Sequence, residues 1–187
     1  AADASQQKGQ SLGVLHGVPV TVKDALQTKN LKSTGGATEL RENVPSQDAA
    51  AVASIRREGA IVMGKTNLPR WSGDIQAYND IFGTTNNPWD ISRGPGGSSV
   101  GAAAAVAMGF TSFEIGTDIG GSIRFPAAFN GVWGHKPSFG VIPTTGYLDH
   151  VEGGLNEADI NVFGPITRSV EDLELLLTVM KRNSPPW

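Results

Sequence analysis

Two glycine-rich turns constrain this chain more than any other feature. Glycines crowd at 94–101 (GPGGSSVG) and at 116–121 (GTDIGG), and each cluster delivers a serine. Ser98 and Ser99 lie inside the first, and Ser122 follows the second directly. Glycine lets a backbone turn sharply and lets other groups approach it closely, at a cost in conformational entropy wherever it is fixed. A chain of 187 residues with 24 glycines, gathered in this way around serines, must use close backbone approach at those two places.

The remaining pattern alternates helices with short apolar strands. Residues 1–10 are polar and read as a frayed end. Residues 14–23 are β-branched and apolar with turn residues inside, a strand ending in charge. Residues 48–58 have helical periodicity, with Ser46 or Asp48 as N-cap and Gly59 at C′. Residues 60–63 read as a short buried strand. Residues 99–108 form a helix with almost no polar face, stopped by Gly109 and therefore buried. Residues 113–116 form a buried strand that leads into the second glycine cluster. Ser169 opens the last helix, with Asp172 as capping-box partner and Leu173, Leu175, Leu176, Leu177 and Met180 as its apolar face. This order predicts a layered α/β domain, and one domain is the default at this length.

Composition removes several kinds of function. The absence of cysteine excludes disulfides, thiolate zinc sites and a cysteine nucleophile. It leaves the compartment open; with no signal peptide visible, a cytoplasmic location is the expectation. A net charge of −3 gives no electrostatic reason to expect nucleic acid. No apolar run nears the roughly 18 residues of a membrane helix. The chain begins with Ala1, which leaves room for residues upstream.

Four patterns carry possible chemistry. Residues 59–66 fit G-x-x-x-x-G-K-[ST] letter for letter, but a phosphate loop follows a strand and opens a helix. Here a helix precedes Gly59 and Ile-Val-Met fills the middle, so a helix end plus strand is the better reading. The cluster at 94–99 fits phosphate at a helix N-terminus or a plain turn with Ser99 as N-cap. In 116–124, a serine after two glycines at a strand end suits a nucleophile, with the N–H groups of Ile119, Gly120, Gly121 and Ser122 as an oxyanion hole; a bland strand-to-loop turn has the same letters. His16, His135 and His150 have no Asp partner at recognisable spacing, and G-x-S-x-G is absent at both serine sites. Lys23, after Val20-Thr21-Val22, is the other base. It must be neutral near pH 7, about three units below the ordinary lysine value, or else it is an exposed strand-end lysine paired with Asp24.

Taken together, these segments resemble the amidase signature family of serine hydrolases. The resemblance is carried by Gly17-Val18-Pro19-Val20-Thr21-Val22-Lys23-Asp24, by Gly64-Lys65-Thr66-Asn67, by Pro95-Gly96-Gly97-Ser98-Ser99, by the block from Gly116 to Arg124, by Lys136-Pro137-Ser138, and by the run from Gly164 to Leu173. It implies a Ser–cis-Ser–Lys trio: Ser122 as nucleophile, Ser98 on a cis peptide as the bridge, Lys23 as base. It also implies Ile119 to Ser122 as oxyanion donors, with Ser99, Asp118 and Arg124 supporting them. Gly64-Lys65-Thr66-Asn67 becomes an ordinary framework strand.

The implied activity is hydrolysis of a small linear carboxylic amide through an acyl-enzyme, without metal or cofactor. The alternatives are an amidotransferase A subunit that delivers ammonia to a partner, or a truncated chain that keeps the fold without activity. Self-association into a homo-oligomer stays open. The implied architecture is an α/β/α fold around a mixed sheet, incomplete in this chain. The likeness covers about 17–180, and relatives are longer. The chain therefore reads as 1–187 of the N-terminal catalytic portion of one domain, its downstream half missing. His135 stands where many relatives have an apolar residue.

Overall fold

In the computed structural model, residues 2–11, 13–151, 153–157 and 159–183 are described. The chain order is α1 (Ala2–Gln7), β1 (Pro19–Lys23), α2 (Ala50–Arg57), β2 (Ile61–Thr66), a hairpin of β3 (Tyr78–Asn79) and β4 (Gly83–Thr84), then α3 (Val100–Ala107), β5 (Glu114–Asp118), α4 (Arg124–Asn130), β6 (Trp133–Gly134), β7 (Val162–Thr167) and α5 (Val170–Met180). Short 3-10 turns lie at Thr38–Leu40 and Arg70–Ser72.

β1 and β2 pair in parallel, and β5, β7 and β6 form an antiparallel ladder in that order. β1 lies beside β5 without a regular ladder between them. Thr21 N–H donates to Thr111 Oγ1 at 2.9 Å, and Ser112 N–H to the Pro19 carbonyl at 3.4 Å. A threonine hydroxyl thus stands in for a ladder partner at that seam.

Alternation along the strands separates two apolar cores. Val20, Val22, Ile115 and Phe163 join Val52 and Ile55 of α2 and Leu176 and Met180 of α5 in the larger one. Ile123 and Ile166 join Ala102, Ala103 and Val106 of α3 in the smaller. The strands lie between two helical sides, which gives the expected mixed α/β layering. Thr21 and Lys23, alternating with Val20 and Val22, face the α3 side.

Several local expectations change. Residues 1–10 include a short helix instead of a frayed end, although α1 buries no residue. Residues 14–17 are turn, because Gly17 takes φ +77° and extended backbone begins only at Pro19. The N-cap of α2 is Ala49, with no side-chain bond; Asp48 instead accepts from the Lys29 N–H at 2.7 Å. β2 is half-exposed, since it has a partner on one edge only and its Ile61 and Met63 face outward. No helix follows Lys65, which removes the phosphate-loop geometry. Ser169 caps α5 by accepting the Asp172 N–H at 3.1 Å. Of the five apolar residues predicted for the face of α5, Leu176 and Met180 are buried and Leu175 is exposed. Among the described residues, no helix is long and apolar enough to cross a membrane.

Candidate active site

β1 ends by carrying Lys23 into the interior, where the side chain is fully buried. A buried ammonium is costly without partners, and Lys23 has two hydroxyls: Nζ lies 2.7 Å from Ser98 Oγ and 2.7 Å from Thr117 Oγ1. Burial drives this lysine down to about 7, against the pull of the Glu114 and Asp118 carboxyls. The alternative of an exposed lysine paired with Asp24 is overturned. Asp24 turns instead to Thr34, accepting its N–H at 3.0 Å and its hydroxyl, and lies 3.9 Å from Lys65.

Ser98 reaches Lys23 from the first glycine turn, and the Gly97–Ser98 peptide is cis. Ser99 next to it makes no side-chain cap for α3. Its hydroxyl faces the β5 backbone, accepting from Thr117 N–H and donating to the Thr117 carbonyl, each at 3.3 Å. Gly116 permits this approach, since a Cβ there would lie 2.9 Å from Ser99 Oγ and 3.0 Å from Ile166 Cδ1.

The second glycine turn winds around one carboxylate. Asp118 accepts the N–H groups of Gly121 (2.9 Å) and Ile123 (3.0 Å), and Arg124 closes on both of its oxygens at 2.9 and 3.1 Å. Burial pushes the Asp118 carboxyl up, yet the bonds from Arg124, Ile123 and Gly121 outweigh it and hold it below the ordinary range. Gly121 takes φ +119°, and a Cβ there would run into the Phe125 ring. The turn brings Ser122 against the first one, its carbonyl accepting the Ser99 N–H at 3.1 Å. Ser122 is half-buried and its neighbours Ile119 and Gly120 are exposed. Among the described residues the Ser122 hydroxyl has no hydrogen-bond partner. The Gly121 N–H is committed to Asp118, so the N–H groups of the turn that remain without an acceptor among the described residues are those of Ile119, Gly120 and Ser122. Beside these serines, Ile75, Gln76, Gly94, Gly96, Phe125 and Phe129 line an open cavity of about 270 Å³, largely apolar.

A family model described as Amidase matches residues 1–187. The chain belongs to that family. Similar to it are the glutamyl-tRNA(Gln) amidotransferase subunits A of Moorella thermoacetica (40% identical over 99% of this chain and 37% of the relative) and Alkaliphilus metalliredigens (39%, 98% and 36%). Among solved structures, the peptide amidase of Stenotrophomonas maltophilia superposes with a TM-score of 0.86 at 34% identity, covering 98% of this chain and 37% of that one. A fatty acid amide hydrolase gives 0.82 at 32%, covering 94% and 30%. This chain thus spans just over a third of the length of the curated relatives it matches.

Within this amidase-family chain, the letters alone assign no role to Thr117 or Glu114. Thr117 was visible as part of the GTD run, but nothing in the letters says its hydroxyl meets Lys23. Glu114 is fully buried on β5, accepting from Thr66 Oγ1 at 2.8 Å and from Ile115 N–H at 3.0 Å. Among the described residues, the hydrogen-bond partners of the Lys23 ammonium are Ser98 and Thr117, and none is a histidine. His16 Nε2 lies 3.2 Å from the Ala2 carbonyl, and the His135 N–H pairs with the Pro165 carbonyl. The His150 ring contacts the adjacent Asp149 on an exposed loop, a spacing of one that no catalytic pattern flags. Among the described residues, no cluster of His, Asp and Glu could hold a metal ion.

Proposed function

We propose that this chain carries the catalytic residues of an amidohydrolase that cleaves a linear carboxylic amide through a serine acyl-enzyme. The observation that carries this reading is the 2.7 Å contact between buried Lys23 and Ser98, with the lysine lowered to about 7. A base whose value lies near the working pH supplies enough neutral form while remaining able to take a proton.

In the proposed sequence, neutral Lys23 accepts the Ser98 proton as Ser98 accepts the Ser122 proton, and Ser122 Oγ attacks the amide carbonyl. The N–H groups of Ile119, Gly120 and Ser122 receive the developing oxyanion, an interaction worth about 3–4 kcal/mol per donor in hydrolases of this kind. The relay returns the proton to the departing amine, and water then hydrolyses the ester. Asp118, Arg124 and Ser99 keep the two turns in place. A fluorophosphonate probe is expected to label Ser122, and Ser122→Ala to abolish the labelling. Labelling that survives this substitution removes the nucleophile.

A second reading is favoured by the names of the curated relatives, amidotransferase subunits A at 37–40% identity. In it, the same acyl-enzyme chemistry releases ammonia to a partner subunit. Hydrolysis of simple amides by the purified protein, with neither second subunit nor ATP, supports the first reading. Turnover that requires the partner supports the second.

A further inference from the structure

Glu114 is a buried carboxyl that the proposed reaction does not use. It sits on β5, one strand away from the catalytic lysine and on the same side of the layer. Its neighbour by alternation, Gly116, faces Ser99 and Ile166 beneath α3. Its partner Thr66 is the register partner of Lys23 in the parallel pair, and residues in register across a parallel ladder project to one side. The Thr66 hydroxyl therefore joins Glu114 to the side of the sheet from which Lys23 projects.

The electrostatic surroundings are sparse. α3 and β7, both packed on β5, carry no titratable side chain. β1 offers only Lys23, with Asp24 directly after it, and β2 only Lys65. Asp118, at the far end of β5, is committed to Arg124. Tyr147, raised by its burial, faces Thr117. Lys65 lies nearest Asp24, at 3.9 Å, and also faces Glu114, each pulling on the other's charge.

We propose that Glu114 is a positioning residue for the amide-cleaving reaction: its carboxylate, fixed by Thr66 and the Ile115 N–H, is the counter-charge that stabilises the ammonium formed on Lys23. In that step the Ser98 O–H bond breaks and an N–H bond forms on Lys23, while Ser98 receives the Ser122 proton. Glu114 exchanges no proton; it faces the positive charge that the step creates in a dry site. Without it, Lys23 would gain a proton with only Asp118, already paired with Arg124, to compensate the charge, and would be a weaker base. Burial moves both groups toward neutrality, Glu114 up to about 7 and Lys23 down to about 7.

This proposal rests on Lys23 being the base, and its test separates the two. In the protein labelled with 13C at Lys Cε and Glu Cδ, followed by NMR from pH 5 to 10, Glu114 is expected to ionise while Lys23 still holds its proton. A Glu114 that remains protonated throughout the Lys23 titration overturns the proposal. Glu114→Gln keeps an acceptor for Thr66. It is expected to lower the Lys23 midpoint by about one unit or more, and to move the acid limb of fluorophosphonate labelling by the same amount. An unmoved Lys23 midpoint in that variant overturns the proposal, whatever happens to the melting temperature. Should the variant not fold, the titration of the unsubstituted protein decides. Absence of any Ser122 labelling counts against the amidohydrolase reading alone, because the NMR titration needs no turnover.

Discussion

Lys23 and Lys65 sit on adjacent strands of one parallel pair, both are removed from water, and the surroundings of each differ in one chemical respect. Lys65, with 11% of its side chain exposed, points at the Leu26 carbonyl, at Thr28 Oγ1 (2.7 Å), at Ser33 Oγ (3.2 Å) and at Asp24 (3.9 Å). The two hydroxyls already donate elsewhere, Thr28 to the Leu26 carbonyl and Ser33 to the Leu31 carbonyl. Lys65 therefore faces acceptors only, and it must supply every proton as an ammonium. Burial still lowers it, to about 8, with Asp24 and Glu114 opposing. Lys23 faces two hydroxyls, and Ser98 has no other acceptor among the described residues. A hydroxyl can accept from an ammonium or donate to a neutral amine, so the Lys23 site can hold both protonation states. The difference between a structural cation and a base lies in whether the partners can reverse the direction of the hydrogen bond.

The largest expected effect breaks the comparison at the base. Lys23→Ala should slow fluorophosphonate labelling of Ser122 by about 10²–10⁴-fold and leave the circular dichroism spectrum intact; near-normal labelling would remove the lysine base. Lys65→Met should do the reverse. It strands Asp24 and three other acceptors, costing about 3 kcal/mol of stability in urea unfolding, with the acid limb of labelling still present. If Lys65→Met abolishes that limb at full stability, the two roles are exchanged.

The pH dependence of stability follows from the sign of the Lys23 shift. Its value in the fold, about 7, lies below the ordinary lysine value of 10.5, so between these values the unfolded chain binds more protons. Stability from this group is full above 10.5 and is lost as pH falls toward 7. The melting temperature of the protein should rise across that window more steeply than that of Lys23→Met. Equal slopes would place the titration elsewhere.

The smallest pair of effects concerns the hydroxyls. Thr28→Val should cost about 1 kcal/mol of stability and leave labelling rates unchanged. Thr117→Val should slow labelling by about tenfold, the loss of one hydrogen bond to a charged group. Equal effects of the two on labelling would erase the distinction between the sites.

Much of this was legible in the letters. The glycine clusters marked both serine turns, because few other residues fit where Gly116 meets Ser99 and Gly121 meets Phe125. Ser169 and Asp172 marked the start of α5, because an N-cap is a local interaction. The strand lengths were less legible. Residues 14–17 share the apolar character of β1 but dock as a turn on the end of α2, Leu15 and Gly17 donating to the Glu58 and Gly59 carbonyls. Glu114 was invisible in its role, since a glutamate in an apolar run gives no sign of whether it meets water or a threonine hydroxyl from another strand.

The sequence by itself determined the kind of fold, the two tight turns and which serines and lysines stood beside them, because backbone freedom and hydrophobic periodicity are local properties. It also limited the available nucleophiles, because a chain without cysteine must use oxygen or nitrogen. Only the tertiary structure decided which lysine is fully buried against reversible partners and which carboxyls face it. Those properties depend on desolvation and on groups dozens of residues apart, 75 between Lys23 and Ser98 and 94 between Lys23 and Thr117. Two lysines on paired strands are told apart only when the chain folds and water leaves.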